Sequence, residues 1–192
     1  MAQAPRRAAV AVVLRERSRD GTTEVLYIER VRAENDPWSG QMAFPGGHLE
    51  ESDAGPVEAA VRETREEVGF NLETHGRLIG RLDDIHATAR GKRLPLAITP
   101  VVFALAEPVE LTPRPDEVAD YVWISLDDLA AGAHDSSMRY RSGELEARLP
   151  CWQVGRYRIW GLTYLMTSSL LELLDVVFEI PRIPGAARAG DA

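Results

Sequence analysis

Glu63, Glu66 and Glu67 fall within one helical turn and are the residues of this chain whose type and spacing could do chemistry. Like charges at such spacings repel by a few tenths of a kcal/mol per pair in an isolated helix, so the group is a small liability unless something offsets it. Mg²⁺ or Mn²⁺ would offset it, being hard, oxygen-seeking ions bound by a few carboxylates together with substrate phosphates. Arg62 and Arg65 are alternative partners on the same helix, and a charge run is ordinarily a solvated face; both readings stand at this point. Just upstream, Pro45-Gly46-Gly47 makes a turn whose bare backbone can approach a metal or a phosphate closely. Glu50, Glu51 and Asp53 then form an acidic loop leading into the helix.

The helix that must carry the glutamates is expected over Pro56 to Val68. Val57, Val61, Thr64 and Val68 recur on one side, and the three glutamates gather on another. Proline suits a first turn, and Gly69 suits the stop. Upstream, Ala8 to Leu14 reads as a small-residue buried strand. Asp20-Gly21 is a hairpin signal, and Glu24 to Val31 is the partner strand. Arg30 and Arg32 end that strand near the glycine turn, either as a solvated strand end or as a grip on substrate phosphate. The loop from Asn35 to Phe44 carries Trp38, a lid over the core or a stacking platform for a base.

Downstream, Arg77 to Ile85 and Leu96 to Leu105 are strand candidates. The polar stretch HATARGKR joins them and holds His86, Arg90, Lys92 and Arg93. Pro100 inside the second strand suggests a bulge or an exposed edge. Leu111 to Val118 is a loop that delivers Glu117 to a strand at Ala119 to Ile124, and Ser125 caps a short helix, with Asp128 three residues on. Arg139 to Trp160 is a hairpin-like excursion broken at Ser142-Gly143 and Val154-Gly155. It leads into a helix over Gly161 to Phe178 with Leu162, Leu165, Met166, Leu170, Leu173, Leu174 and Val177 facing the core.

A chain of 192 residues, 45% hydrophobic and 27% charged, suits one globular domain over 1–192, with loose tails at 1–6 and 181–192. A formal net charge of −8 argues against nonspecific nucleic-acid or membrane-surface binding, though not against a small phosphate substrate screened by metal. Cys151 is the single cysteine, which excludes an internal disulfide and suits a reducing compartment. No apolar run approaches the roughly 20 residues of a membrane span, and the N-terminus lacks an apolar secretory segment. A cytoplasmic protein without membrane contact is the expectation.

The run from Gly47 through Asp53 to Arg62, Glu63, Glu66, Glu67, Gly69 and Phe70 resembles the Nudix box of the Nudix hydrolases. Asp53 stands where the box has Glu, eight residues rather than seven separate it from Arg62, and Thr64 occupies an apolar place. The first two departures resemble the branch of coenzyme A diphosphatase-like proteins. Gly40, Phe44, Pro45, Gly46 and Gly47 match the segment that precedes the box in that branch, and Trp160-Gly161-Leu162-Thr163 resembles the start of its last helix. Asp36 stands where the branch has arginine, and threonines expected between Tyr27 and Arg32 are missing.

The resemblance implies an α/β fold, a Nudix-type α/β/α sandwich with a mixed sheet and a loop-helix-loop catalytic motif. It implies that Glu63 and Glu67 bind Mg²⁺ or Mn²⁺ directly, that Glu66 assists through water or a second ion, and that the Gly46 carbonyl completes the shell. Arg62 would orient the glutamates, and Glu117 would be general base or extra ligand. The implied reaction is hydrolysis of a diphosphate in coenzyme A or an acyl or oxidised form of it. ADP-ribose, NADH or another nucleotide is the alternative, and a non-catalytic nucleotide-sensing domain a further one. The partner would be a small nucleotide, and a homodimer fits the family.

Overall fold

The computed structural model of the chain describes residues 6–34, 36–89, 92–143 and 145–174. Strand β1 (Arg6–Glu16) turns at Asp20-Gly21 into β2 (Thr23–Arg30), as the hairpin signal predicts. The two strands pair only at the turn end, Leu14 to Glu16 against Thr23 to Val25, and then diverge. Into the gap come β3 (Met42–Ala43), paired with β2, and β4 (Gly46–His48), paired with β1. The glycine turn is thus wedged between two strands, with the Ala11 N–H donating to the Pro45 carbonyl at 2.7 Å.

Helix α1 (Pro56–Val68) has the expected bounds: proline opens it, and Gly69 at φ 83° closes it by donating to the Arg65 carbonyl. The one-turn α2 (Leu72–His75) leads to β5 (Gly76–Arg81), β6 (Ile85–Ala89) and β7 (Lys92–Leu105). Strand β8 (Val118–Ser125) joins β2, followed by α3 (Leu126–Ala130), whose Asp128 N–H donates to the Ser125 hydroxyl. β1 and β7 run parallel and the other pairings are antiparallel, so the sheet is mixed.

Alternate residues of the central strands go to opposite faces. Ala11, Val13, Leu26 and Ile28 pack under α1 with Ala59, Ala60 and Val68. Val12, Tyr27 and Phe44 pack on the other face with Trp152, Tyr164, Met166 and Leu170. Helices cover both faces, the α/β/α sandwich expected from sequence, and a strand buried on both sides reads as a near-continuous apolar run.

A second sheet is built from β9 (Asp135–Ser142), β10 (Leu145–Val154) and β11 (Tyr157–Trp160), with turns at the two predicted breaker pairs. Arg156 ties it to the main sheet through Glu29 at 2.9 Å and through Asp120. Cys151 lies buried in β10 opposite Trp160.

Three expectations are corrected. Pro100 is buried in an interior strand rather than at an edge or bulge. The partner of β7 on that side changes from β6 at Ile98 to β5 at Val101, so the missing N–H falls where no ladder bond is needed. The Pro100 carbonyl still accepts from the Leu82 N–H at 3.0 Å. The stretch 86–93, expected as a polar connection between strands, belongs largely to the strands themselves, with His86 to Ala89 in β6 and Lys92 and Arg93 in β7; Arg90 and Gly91 lie outside the described residues.

The last helix, α4 (Gly161–Leu173), turns a different face inward than its leucine spacing predicts. Leu165, Leu173 and Leu174 are exposed, whereas Thr163, Tyr164, Met166, Thr167, Ser168, Leu170 and Leu171 are buried. The hydroxyls there have partners: Thr163 donates to the Met42 carbonyl at 2.9 Å, and Thr167 lies 2.9 Å from the Tyr27 hydroxyl. Satisfied polar groups can line an interior face. Val177 and the tail from 181 to 192 lie outside the described residues.

Candidate active site

The acidic helix meets the glycine turn through one buried side chain. Glu67 is only 4% exposed, and its Oε2 accepts the Gly46 N–H at 2.8 Å. It therefore does not lie on a solvated face with Glu66. Gly47 packs so closely on Glu63 that a β-carbon there would sit 2.3 Å from Oε1. The turn fits against the helix because Gly47 has no side chain, and against β1 because Gly46 has none.

Arg62 organises the rim. It donates to Asp53 from Nε at 3.1 Å and from Nη2 at 2.9 Å, to Glu63 Oε1 at 2.9 Å, to Glu66 Oε2 at 3.4 Å and to the His48 carbonyl at 3.0 Å. The hydrogen bond to Arg62 is the main reason the Asp53 carboxyl titrates below its usual range. One guanidinium thus gathers the acidic loop, the end of the glycine strand β4 and the Glu63 and Glu66 carboxylates of α1.

A cavity of about 260 Å³ opens between these groups and the loop before β8. Glu63, Glu67, Gly46, Gly47 and Arg30 line it together with Asp36, Asp116 and Glu117, so Glu117, distant in sequence, reaches the same space. Asp116 and the position of Asp36 were not foreseen, although Asp116 adjoins Glu117 and could have been suspected on that ground. Arg32 is exposed and absent from these walls, its stem lying beside Gly40. His86 and Arg93 do not line the cavity.

A second, apolar cavity of about 170 Å³ shares Arg30, Gly46 and Gly47 with the first. Its walls include Trp38, Phe44, Ile98, Leu162, Thr163 and Met166. Trp38 packs on the core, as one of the two readings has it, and is also among the residues that wall this cavity.

Whether a divalent cation suits the acidic cavity is a question of donor chemistry. Burial pushes the Glu67 carboxyl up to about 8, and the neighbouring Glu63 and Glu117 charges add to the rise against the opposing Gly46 N–H and Arg30. Burial also raises Glu63, in spite of Arg62. Hard oxygen donors whose charges are costly to hold together fit a hard cation. Among the described residues no three His, Cys, Asp or Glu side chains converge as a ready metal cluster. Glu63 is drawn toward Arg62, and Glu67 toward the Gly46 N–H.

These shifts predict a pH dependence. Glu67 has a folded pKa near 8, above its unfolded value of about 4.3. Its contribution to stability is full below the unfolded value and is lost as pH rises through 8, by up to about 1.4 kcal/mol per pH unit. Thermal melts in EDTA should show the ion-free protein less stable at pH 9 than at pH 6. Saturating Mg²⁺ should remove most of that slope, and an unchanged slope would refute ion binding at Glu67.

A family model described as the NUDIX domain matches residues 4–142. The chain belongs to the Nudix family. Among Nudix relatives it is similar to the mitochondrial coenzyme A diphosphatase NUDT8 of Homo sapiens, 29% identical over 96% of this chain and 77% of that protein. It is also similar to the uncharacterized Nudix hydrolase NudL of Citrobacter koseri, 31% identical over 82% of this chain and 77% of the other. The fold matches a solved Nudix hydrolase of M. smegmatis, RenU, with a TM-score of 0.58 and 20% identity, covering 91% of this chain and 89% of that one.

The Nudix chain is thus a hydrolase whose reaction class is cleavage of a diphosphate in a nucleotide-derived compound. Nudix hydrolases generally work with Mg²⁺ or Mn²⁺. No helix among the described residues of this one is long and apolar enough to cross a membrane.

Proposed function

We propose that this Nudix hydrolase cleaves the diphosphate of coenzyme A, or of an acyl or oxidised form of it, with Mg²⁺ or Mn²⁺. One observation carries the choice of substrate. Leu162 and Thr163, from the segment that resembles the coenzyme A diphosphatase-like branch, line the apolar cavity beside the acidic one. Similarity to a protein named as a coenzyme A diphosphatase, over nearly the whole chain, supports the same reading.

Glu63 and Glu67 would hold the ion, with Glu66 reaching it through water from the rim and the Gly46 carbonyl facing it. When bound, the ion supplies charge neutralisation at the phosphates and makes water more acidic. Arg62 fixes Glu63 by its 2.9 Å bond and so would orient one of the carboxylates that hold the ion. Glu117, which lines the same cavity, takes the proton of the attacking water. Arg30, on the wall common to both cavities, faces the phosphates, and Arg32 meets the substrate outside the walls.

Asp36 favours a second reading, hydrolysis of ADP-ribose, NADH or another nucleotide. It puts a negative charge where the coenzyme A diphosphatase-like branch carries a positive one. Competing coenzyme A, acetyl-coenzyme A, ADP-ribose and NADH in one assay, with product identification, decides between them. Release of 3′,5′-ADP and 4′-phosphopantetheine at the highest kcat/KM is the expected result. Preference for ADP-ribose or NADH would replace the coenzyme A reading, and inactivity against all four with either ion would revive a sensing role.

A further inference from the structure

The arginine on the wall between the two cavities is already engaged. Arg30 donates from Nε at 3.0 Å and from Nη2 at 2.7 Å to the same oxygen, Asp36 Oδ2, while Asp36 Oδ1 accepts the Trp38 N–H at 2.9 Å. The pair is partly withdrawn from water, the two side chains being 33% and 18% exposed, so salt screens it less than a surface pair. Among the described residues, those lining the acidic cavity include five carboxyl side chains, Asp36, Glu63, Glu67, Asp116 and Glu117, and a single cation, Arg30. That cation's two aligned donors are spent on one of the five.

A phosphate reaching this cavity without a divalent ion therefore meets acidic walls and no free guanidinium fork. To use Arg30 it must displace a carboxylate that is anchored through its other oxygen and cannot simply swing away. We propose that Asp36 is a specificity-determining residue that withholds Arg30 from anionic ligands, so that a nucleoside diphosphate enters only once divalent ions have changed the charge of the cavity. The inference rests on reading the cavity as a diphosphate site, and it assigns Asp36 a positioning role exerted through Arg30. Substrates compete with an internal anion, and discrimination falls on those that bring binding energy elsewhere, such as to the apolar cavity.

Calorimetric titration of ADP into the full chain, in EDTA and in Mg²⁺, tests this with Asp36→Asn, Arg30→Gln and the double variant. Asparagine keeps an oxygen for the Trp38 N–H, so the loop remains held. In EDTA, Asp36→Asn should bind ADP on the order of tenfold more tightly than the parent. The double variant should return to the parent value even though Arg30→Gln alone costs little, a non-additivity that independent charge effects would not produce. Arg30→Gln alone should change affinity in EDTA by less than about twofold, because a neutralised arginine has little to lose. In Mg²⁺, Asp36→Asn should lower KM more than it changes kcat.

Equal affinities of parent and Asp36→Asn in EDTA would overturn the proposal, as would a gain that persists in the double variant. A large loss from Arg30→Gln alone in EDTA would overturn it too, and that arm decides even if Asp36→Asn fails to fold. An active parent with any of these results leaves the diphosphatase reading standing. A parent that neither binds ADP nor hydrolyses any substrate with either ion refutes both.

Discussion

Glu67→Gln is expected to lower turnover by on the order of a thousandfold while leaving the fold in place. The amide has the shape of the carboxyl it replaces, and its oxygen can still accept the Gly46 N–H that Glu67 holds at 2.8 Å. What disappears is the charge of a side chain only 4% exposed, in a cavity it shares with Glu63 and Glu117. The same exchange should raise the melting temperature of the ion-free protein at pH 8 to 9, because a neutral amide carries no desolvated charge and removes one of the mutually repelling groups. Activity and stability therefore move in opposite directions, which separates a lost ion ligand from a damaged fold. A purified variant that turns over at the parent rate would remove Glu67 from the metal site.

Gly46→Ala and Gly47→Ala are neighbours in sequence with very different expected outcomes. A β-carbon on Gly46 would lie 2.3 Å from the Ala9 carbonyl oxygen and 2.6 Å from the Val10 α-carbon, in the interior of the sheet. Backbone atoms of a central strand cannot step aside, so the cost should be roughly 3 kcal/mol or more, and the variant should be recovered poorly or melt far below the parent. A β-carbon on Gly47 meets Glu63 Oε1 at 2.3 Å and the Glu63 carboxyl carbon at 2.6 Å, the far end of a flexible side chain that can rotate. That variant should fold and melt within a few degrees of the parent, yet lose activity because Glu63 is displaced from beside Arg62. A Gly46→Ala protein with the parent's melting temperature would show that β4 does not sit against β1 as described.

The parts of this molecule legible from sequence are those governed by local rules. Pro56 and Gly69 delimit α1 because a missing N–H and a left-handed terminus are properties of single residues. Asp20-Gly21, Ser142-Gly143 and Val154-Gly155 mark turns for comparable reasons. Glu67 was legible as a box residue but not as a buried one, since its burial comes from Gly46, which lies 21 positions away in sequence. The inward face of α4 was misread because Thr163 and Thr167 count as polar until their partners on β2 and β3 are known. Pro100 suggests a bulge or an exposed edge because sequence does not reveal that two different strands succeed each other along one side of β7. The Arg30–Asp36 pair depends on how a loop folds back, which neither hydropathy nor motif spacing encodes.

Cys151 is the chain's single cysteine and is 2% exposed inside β10. Thiol–disulfide exchange needs an accessible sulfur, so this protein has none to offer a thiol-bearing molecule or a disulfide sharing its solution. It can therefore be purified and assayed without added reductant. The reduced and disulfide forms of a thiol-ended substrate can then be supplied separately and kept distinct throughout a kinetic run.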